Sequence, residues 1–513
     1  MPKDPTGEFA SPAASAVAGG AAPAAASFPQ TGFFGHPRGL ATLFFTEFWE
    51  RFSYYGMRAL LILYMTAAIA EGGLGFDAAR AGSIYGLYTA AVYLLALPGG
   101  WIADRLLGQR RSVLIGGIII AAGHFSLAFH GLNTFFLGLV LIVVGTGFLK
   151  PNVSTMVGEL YPEGGARRDA GFSVFYMGIN LGAFVAPLVC GPLGEKVNWH
   201  VGFAAAGVGM VLGVIQYSLG GKYLGTAGLL PNAGGDPAST KNAKIALAVF
   251  GAVIVGIVAL VWTGSLPISV ERLANFSGIV IVSLALLFLI SQLVAGGLNP
   301  IEKKRFLVIF ILFIFSALFW SGFEQAGSSL NLFADRNTDR DIFNWNTPAS
   351  VLQAVNPLLI ICLAPVFAWL WLFLAGRGKE PSSPAKFSMG LILLGLGFAV
   401  MSWASVLAAN GHLVSPLWLT LTYFLHTCGE LCLSPVGLST VTKLAPHRKV
   451  GQMMGVWFMS ISLGNLIAGL VAGKFETLPL PQLFGAVFAT TAGAGLILAL
   501  LVKPIRRLMG GVN

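Results

Sequence analysis

Apolar stretches long enough to cross a bilayer recur along nearly the whole of this chain. Fourteen are expected, at about 42–70, 80–103, 112–130, 134–158, 169–190, 200–220, 243–264, 276–297, 306–334, 349–375, 387–409, 416–445, 450–473 and 482–503. About twenty apolar residues span a bilayer as a helix, and only helices or closed barrels satisfy their backbone there. Of the 513 residues, 56% are hydrophobic and 10% charged, whereas soluble domains carry roughly 25% charged residues. The expected fold class is therefore an all-α polytopic membrane protein embedded in a lipid bilayer.

An even number of spans puts both termini on one side. Loops on that side hold 22 of the 31 Lys and Arg, among them Arg110, Arg111, Lys303, Lys304, Arg305, Lys443, Arg448 and Lys449, and the opposite loops hold six. Cytoplasmic loops carry the excess of Lys and Arg, so both termini are expected in the cytoplasm. This topology accounts for most of the +10 net charge, and no nucleic-acid partner is implied. Cys190, Cys362, Cys428 and Cys432 all lie in apolar segments and read as packing thiols. No His/Cys spacing resembles a metal site.

The spans divide as six, two and six. Residues 1–37 are Ala/Gly/Pro/Ser-rich and read as a disordered cytoplasmic tail. A six-helix bundle over 38–222, a linker with two peripheral spans over 223–300, a second six-helix bundle over 301–505 and a tail over 506–513 complete the expected order. Two six-helix bundles around a midplane site are a common transporter plan; fourteen equally essential helices are the alternative.

Within this apolar frame the first span carries Glu47, Glu50, Arg51 and Arg58. A charge at the bilayer centre costs roughly 2.5–3.5 kcal/mol, so four cost on the order of 10 unless compensated. With Tyr54 and Tyr55 they fall within an arc of about 140° on one helix face. Such a face must look into a bundle or a water-filled cavity. It is either a structural ion-pair network or one wall of a ligand site. Further intramembrane polar groups are Lys150 beside Pro151, Asn180, Glu324, Asn356 beside Pro357, and Glu430 near Pro435. Four buried carboxylates face three buried cations. One carboxylate thus lacks a permanent partner, which suits proton exchange, and both signs of charge suit a zwitterionic substrate. Lys150 could instead snorkel to the surface. His124 and His426 are proton carriers or hydrogen-bonded fillers. Ser434 has no evident base near it in sequence, which weakens a hydrolase reading.

Glu47-Phe48-Trp49-Glu50-Arg51-Phe52-Ser53-Tyr54-Tyr55 resembles the E-x-x-E-R-F-x-Y-Y signature of proton-dependent oligopeptide transporters, a branch of the major facilitator superfamily. Phe172–Phe184, with its Asn180, resembles the second family signature. Lys150–Ser154, Gln353–Pro357 and Gly429–Pro435 also resemble family segments, and the likeness runs from about residue 36 to 505.

The resemblance implies a major facilitator fold and a proton-coupled importer of di- and tripeptides, not an enzyme. It implies a bacterial inner-membrane location, protons as coupling ion, no cofactor and function as a monomer. It assigns the peptide carboxylate to Arg51, Tyr55 and Lys150, and the amine to Asn180, Asn356 and Glu430. Tyr54, Tyr85, Tyr93, Trp320, Ser434 and Trp457 would line the cavity. Glu47, Glu50 and Glu324 would handle protons. Arg58 with Glu324, and Lys150 with Glu430, would act as gates. Gly99–Arg105 resembles the superfamily hinge between spans two and three. Mammalian members carry a histidine after the first span-two tyrosine; here that position is Gly86, so coupling falls to the carboxylates. A nitrate-type anion carrier, a membrane hydrolase and a peptide-sensing receptor are the rival readings.

Overall fold

The computed structural model describes residues 32–163, 165–229, 269–409, 411–446 and 449–510, with scattered positions between 241 and 256. Residues 1–31 of the expected 1–37 tail and most of the expected seventh span, 243–264, lie outside the described residues.

The first bundle comprises α1 (Arg38–Thr66), α2 (Ala78–Leu94), its short continuation α3 (Ala96–Ile102), α4 (Gln109–Leu127), α5 (Leu132–Glu159), α6 (Gly165–Pro192) and α7 (Trp199–Gly220). A peripheral helix, α8 (Val270–Ala295), follows. The second bundle comprises α9 (Pro300–Phe323), the short α10 (Ser329–Asn337), α11 (Val355–Gly376), α12 (Ser383–Ala408), α13 (Leu417–Leu444), α14 (Val450–Ala472) and α15 (Leu480–Met509). The only described sheet is a two-stranded hairpin, Asp341–Ile342 with Trp345–Asn346.

Local sequence sets the starts. Asp77, Asn198 and Ser269 each accept a hydrogen bond from the first turn of the helix they precede. Asn299 and Glu302 form a reciprocal capping box, with Pro300 at the first position of α9. Among the described residues ten helical segments are long and apolar enough to cross a membrane. The long helices α1, α4 and α13 fall outside that set, in line with the four charges of α1, Arg110 and Arg111 of α4, and Glu430, His426 and the threonines of α13. Two expected spans are interrupted. The second passes from α2 through α3 into a π turn at Ala103–Leu107, and the ninth stops at Phe323 and resumes after a 3-10 turn at Glu324–Gly327.

In the first bundle α1 packs on α6 and α7, and α4 on α5 and α7; in the second α12 packs on α13 and α15, and α9 on α14 and α15. We call proximal the end at which Arg38 opens α1 and Met509 closes α15. The bundles meet through α2 with α14, through α6 with α11 and its preceding turn (Ala349–Ala354), and through α1 with α10. The α6–α11 contact includes the distal Gly191 beside Ser350, whereas α2 and its continuation α3 meet α14 along most of its length, from Gly82 beside Gly469 to Leu97 beside Gly455. Helix α8 buries only Ala274, Ile281 and Ala285, yet it lies against both α2 and α14 and so straddles the seam.

That seam is built from glycines. Gly82 and Gly86 on α2 face Gly469 and Gly473 at the end of α14, two small-xxx-small pairs that bring backbones together. A Cβ on Gly469 would stand 2.4 Å from the Gly82 carbonyl oxygen, and one on Gly86 would stand 3.0 Å from the Leu466 carbonyl. Gly469→Leu should therefore overpack the seam, destabilising it by about 1–3 kcal/mol. The expected result is a lower thermal unfolding midpoint with faster hydrogen exchange at the distal ends of α2 and α14. An unchanged midpoint and exchange pattern would show that the helices do not need this approach.

Candidate functional site

The polar stripe of α1 is buried: Glu47, Glu50, Arg51 and Arg58 each expose 6% or less of their surface. The i, i+3 and i, i+4 spacing brings them into contact along one face. Arg51 Nε bridges the two carboxylates, at 3.1 Å from Glu47 Oε1 and in direct contact with Glu50. Its guanidinium stands over the rings of Tyr54 and Tyr55, 5.2 and 6.0 Å from their centroids. Glu47 Oε2, Glu50 Oε1 and Arg51 Nη2 are buried without a hydrogen-bond partner among the described residues. Buried polar groups normally have partners, so this network retains capacity for a proton or another ligand atom.

Two turns further out, Arg58 leaves its own bundle. Its Nη2 lies 2.5 Å from Glu324 Oε2, and its Nε donates to the Tyr85 hydroxyl at 2.5 Å. The helix break positions Glu324: α9 ends one residue before it, and the 3-10 turn carries it against α1. Gly327 makes the approach possible. A Cβ there would stand 2.0 Å from Tyr85 Oη and 2.9 Å from Arg58 Nε. Neither Gly327 nor Tyr88, whose ring stacks on Tyr54 at 6.4 Å, was singled out from the sequence. Tyr88 follows Tyr85 by three residues, a spacing that could have flagged it.

Lys150 and Glu430 are arranged differently. Pro151 lies inside α5, and the Gly147 carbonyl four residues before it has no amide to accept. Backbone of α3 packs there, where a Cβ on Gly99 would stand 1.9 Å from that oxygen. Lys150 Nζ sits 3.9 Å from the centroid of the Tyr93 ring, a cation–π contact. Among the described residues it forms no ion pair. Glu430, on α13, receives a long hydrogen bond of 3.5 Å from Asn356 Nδ2, which also donates to Thr427 Oγ1 at 2.9 Å. The expected Lys150–Glu430 pair is therefore not formed. Lys150 belongs to the first bundle and Glu430 to the second, so the two groups stand on separate walls.

Tyr55 lies between the sets, within electrostatic reach of Arg51, Arg58, Glu324 and Glu430. Asn180 turns its amide to the Tyr176 carbonyl of its own helix at 3.0 Å. Trp320 packs edge-on to Phe319 and Phe323, and Trp457 edge-on to Phe387 and over Gly437. Ser434 is half-buried, one turn from Glu430. His124 lies in the α4–α7 contact beside Gly207, and His426 in the α12–α13 contact against Phe398, so both serve packing within a bundle. Gly86 is not a vacant histidine position, because α14 backbone fills the space a side chain would need. Among the described residues no cluster of three or more His, Cys, Asp or Glu is placed to hold a metal.

The geometry thus holds two compensated charge clusters, Arg51 with Glu47 and Glu50, and Arg58 with Glu324. It also holds one cation and one carboxylate on opposite bundles, Lys150 and Glu430, that form no ion pair among the described residues, with Lys150 in electrostatic reach of Glu47 and Glu50. Comparison with known proteins places this arrangement in a family. A model described as "POT family" matches residues 110–484. The peptide transporter YePEPT of Yersinia enterocolitica is 45% identical, over 94% of this chain and 97% of its own length. A di-/tripeptide transporter of Lactococcus lactis is 37% identical over 94% and 98%. A crystal structure of a peptide transporter POT in complex with sulfate, 44% identical, superposes with a TM-score of 0.88 over 95% of this chain and 98% of that one. The chain belongs to the POT family, the proton-dependent oligopeptide transporters built on the major facilitator fold.

Proposed function

We propose that this transporter imports di- and tripeptides together with protons, by alternating access across a bacterial inner membrane, with both termini cytoplasmic and the monomer as the working unit. The observation that carries the reading is a pair of opposite charges on opposite bundles that form no ion pair with one another among the described residues. Lys150 on the first bundle and Glu430 on the second offer opposite signs to one ligand that has a carboxylate at one end and an amine at the other. Arg51 and Tyr55 stand beside the first, Asn356 beside the second, and Asn180 on α6 is a further amine contact. Tyr54, Tyr85, Tyr93, Trp320, Ser434 and Trp457 supply the apolar and hydroxyl walls that let side chains vary. Named relatives carry di- and tripeptides, and a POT family transporter 37% identical to this chain binds 5-aminolevulinic acid, which also carries an amine and a carboxylate.

Coupling follows from exchange of partners. Arg51 serves two carboxylates at once, so protonating Glu47 leaves Glu50 paired and frees part of the guanidinium for the peptide carboxylate. Protonating Glu324 removes the charge that holds Arg58 and loosens the distal contact. A ligand shifts a two-state equilibrium only by its differential affinity for the states. A proton crossing down about 100 mV supplies about 2.3 kcal/mol, enough for roughly 40-fold accumulation of a net-neutral peptide. The distal contacts at Arg58–Glu324 and Gly191–Ser350 support a conformation in which the charged site faces the proximal side, the cytoplasmic one in this orientation.

Uptake into liposomes tests the coupling. Glu47→Gln should abolish proton-driven accumulation while exchange of labelled against unlabelled dipeptide continues; persistence of driven uptake would remove Glu47 from the coupling path. Lys150→Ala should weaken binding of a dipeptide roughly 10- to 100-fold, the range for a lost charged hydrogen bond, and that of its carboxyl-amidated analogue less than about threefold. Equal losses would take Lys150 away from the carboxylate. Exchanging the charges, Arg58→Glu with Glu324→Arg, should recover part of the transport lost in either single variant. No recovery would mean that the pair does not act through mutual attraction.

A further inference from the structure

The distal ends of the bundles are joined by two contacts that the peptide site does not use. Glu195 lies just beyond α6 in a π turn, Leu193–Val197. Its carboxylate reaches into the other bundle. Ala349 N–H donates to Glu195 Oε2 at 2.8 Å, and Ser350 N–H donates to Oε1 at 2.9 Å, with the Ser350 hydroxyl on the same oxygen. These are the opening amides of the turn that leads into α11. The residue before them is Pro348, which offers no side-chain cap. Exposed first-turn amides need an acceptor, and a carboxylate there also favours the helix dipole. Here the acceptor comes from the opposite bundle.

The second contact mirrors the first. Glu476 follows α14, and its Oε2 accepts from the Ala78 amide at 3.2 Å, the opening residue of α2 in the first bundle. In each case a glutamate after the fifth span of one bundle caps the second span of the other. That is the reciprocity expected of repeats related by an axis along the membrane normal. Both glutamates are also tied to one short segment: Arg336 Nη1 donates to Glu476 at 2.8 Å, and Arg340 Nη1 to Glu195 at 3.4 Å. Arg340 in turn is held by Asp335 at 3.0 Å. The segment spans the end of α10 and the residues just after it, in the distal continuation of the span that carries Glu324.

We propose that Glu195 and Glu476 are reciprocal clasps of the distal gate, positioning residues that hold the outside closed and must both release before the substrate path opens outward. The proposal rests on the alternating-access reading above. Neither glutamate lines the peptide site. When the bundles part, the Ala349, Ser350 and Ala78 amides lose these acceptors to water, so both contacts belong to one state of the cycle. The Glu476 carboxyl is held below its ordinary range: burial pushes it up, and the Arg336 and Ala78 hydrogen bonds outweigh that push. It is therefore charged at neutral pH, and its share of the closed state fades only as acid protonates it. The two clasps differ in strength. The Glu195 side chain is 9% exposed and that of Glu476 40%, and exposed ion pairs contribute less.

Hydrogen exchange on the full-length protein in lipid nanodiscs tests the proposal. Glu195→Gln should speed exchange in the distal loops 68–77 and 411–416, and slow it in the cytoplasmic segments 103–109 and 377–382. The expected shift in the closed-to-open ratio is about tenfold, equivalent to about 1.4 kcal/mol. Glu476→Gln should act in the same direction by a smaller factor, the double variant should exceed either, and Glu195→Asp should retain part of the closure. Faster exchange confined to 193–199 and 347–354, with the cytoplasmic segments unchanged, would overturn the clasp and leave a local cap. Glu324→Gln separates the two levels. A reciprocal shift there without one in Glu195→Gln would remove the clasp and keep alternating access; no reciprocal shift in any variant would remove both.

Discussion

Arg51 determines how the rest of the site can work. One guanidinium, sealed into the first bundle, touches two carboxylates of its own helix, and each carboxylate keeps a buried oxygen without a hydrogen-bond partner among the described residues. Two anions on one cation would be unfavourable at this depth as a fixed arrangement, because desolvation is not fully offset. The arrangement has use as one station of a cycle in which a proton or a substrate carboxylate takes over part of the pairing. Arg58 and Glu324 form a second station across the bundles. Lys150 and Glu430 then remain as the charges that the protein does not neutralise by ion pairing, and they lie on opposite walls.

The closed distal side lets those charges stand apart. Glycines on α2 and α14 remove side chains from the seam, so backbones meet and the two bundles pivot close together at one end. Gly327 extends the same device to the turn carrying Glu324, which could not otherwise reach Arg58 under the Tyr85 hydroxyl. Buried ion pairing, glycine contact and the capping glutamates all act at the same end of the molecule. Closure is thus spread over several modest interactions, each reversible, and no single strong bond would have to be broken in every cycle. The peripheral helix α8 lies across that seam against both moving helices and adds no charge to the site.

Local features of the sequence foretold much of this. The charges of α1 lie three and four residues apart, so their common face follows from helical geometry alone. The unequal count of buried acids and bases pointed to proton exchange before any pairing was known. Pairing of Arg58 with Glu324 was expected only through the family resemblance, and the structure forms it; local sequence could not supply it, because it depends on segments far apart in the chain and on the ninth span breaking at the right residue. Lys150 and Glu430 were expected together because the family resemblance implies that pair, yet the sequence does not specify which state of the cycle is adopted. Gly86 illustrates the same gap. Its lack of a side chain could be read as a lost histidine, whereas the space is occupied by α14 backbone. Glu195 and Glu476 drew no attention because carboxylates at span ends are ordinary; only their partners in the opposite bundle give them meaning.

One zwitterion that bridges Lys150 and Glu430 would couple the two charges through a shared ligand. A double-mutant cycle on dipeptide affinity measures this directly, using calorimetry on the purified transporter, Lys150→Ala, Glu430→Gln and the double variant. Bridging by a single ligand predicts that the combined loss falls short of the sum of the single losses, by about 1 kcal/mol or more, the coupling expected of groups that share one partner. Losses that simply add would place the two charges in independent roles and contradict the bridge.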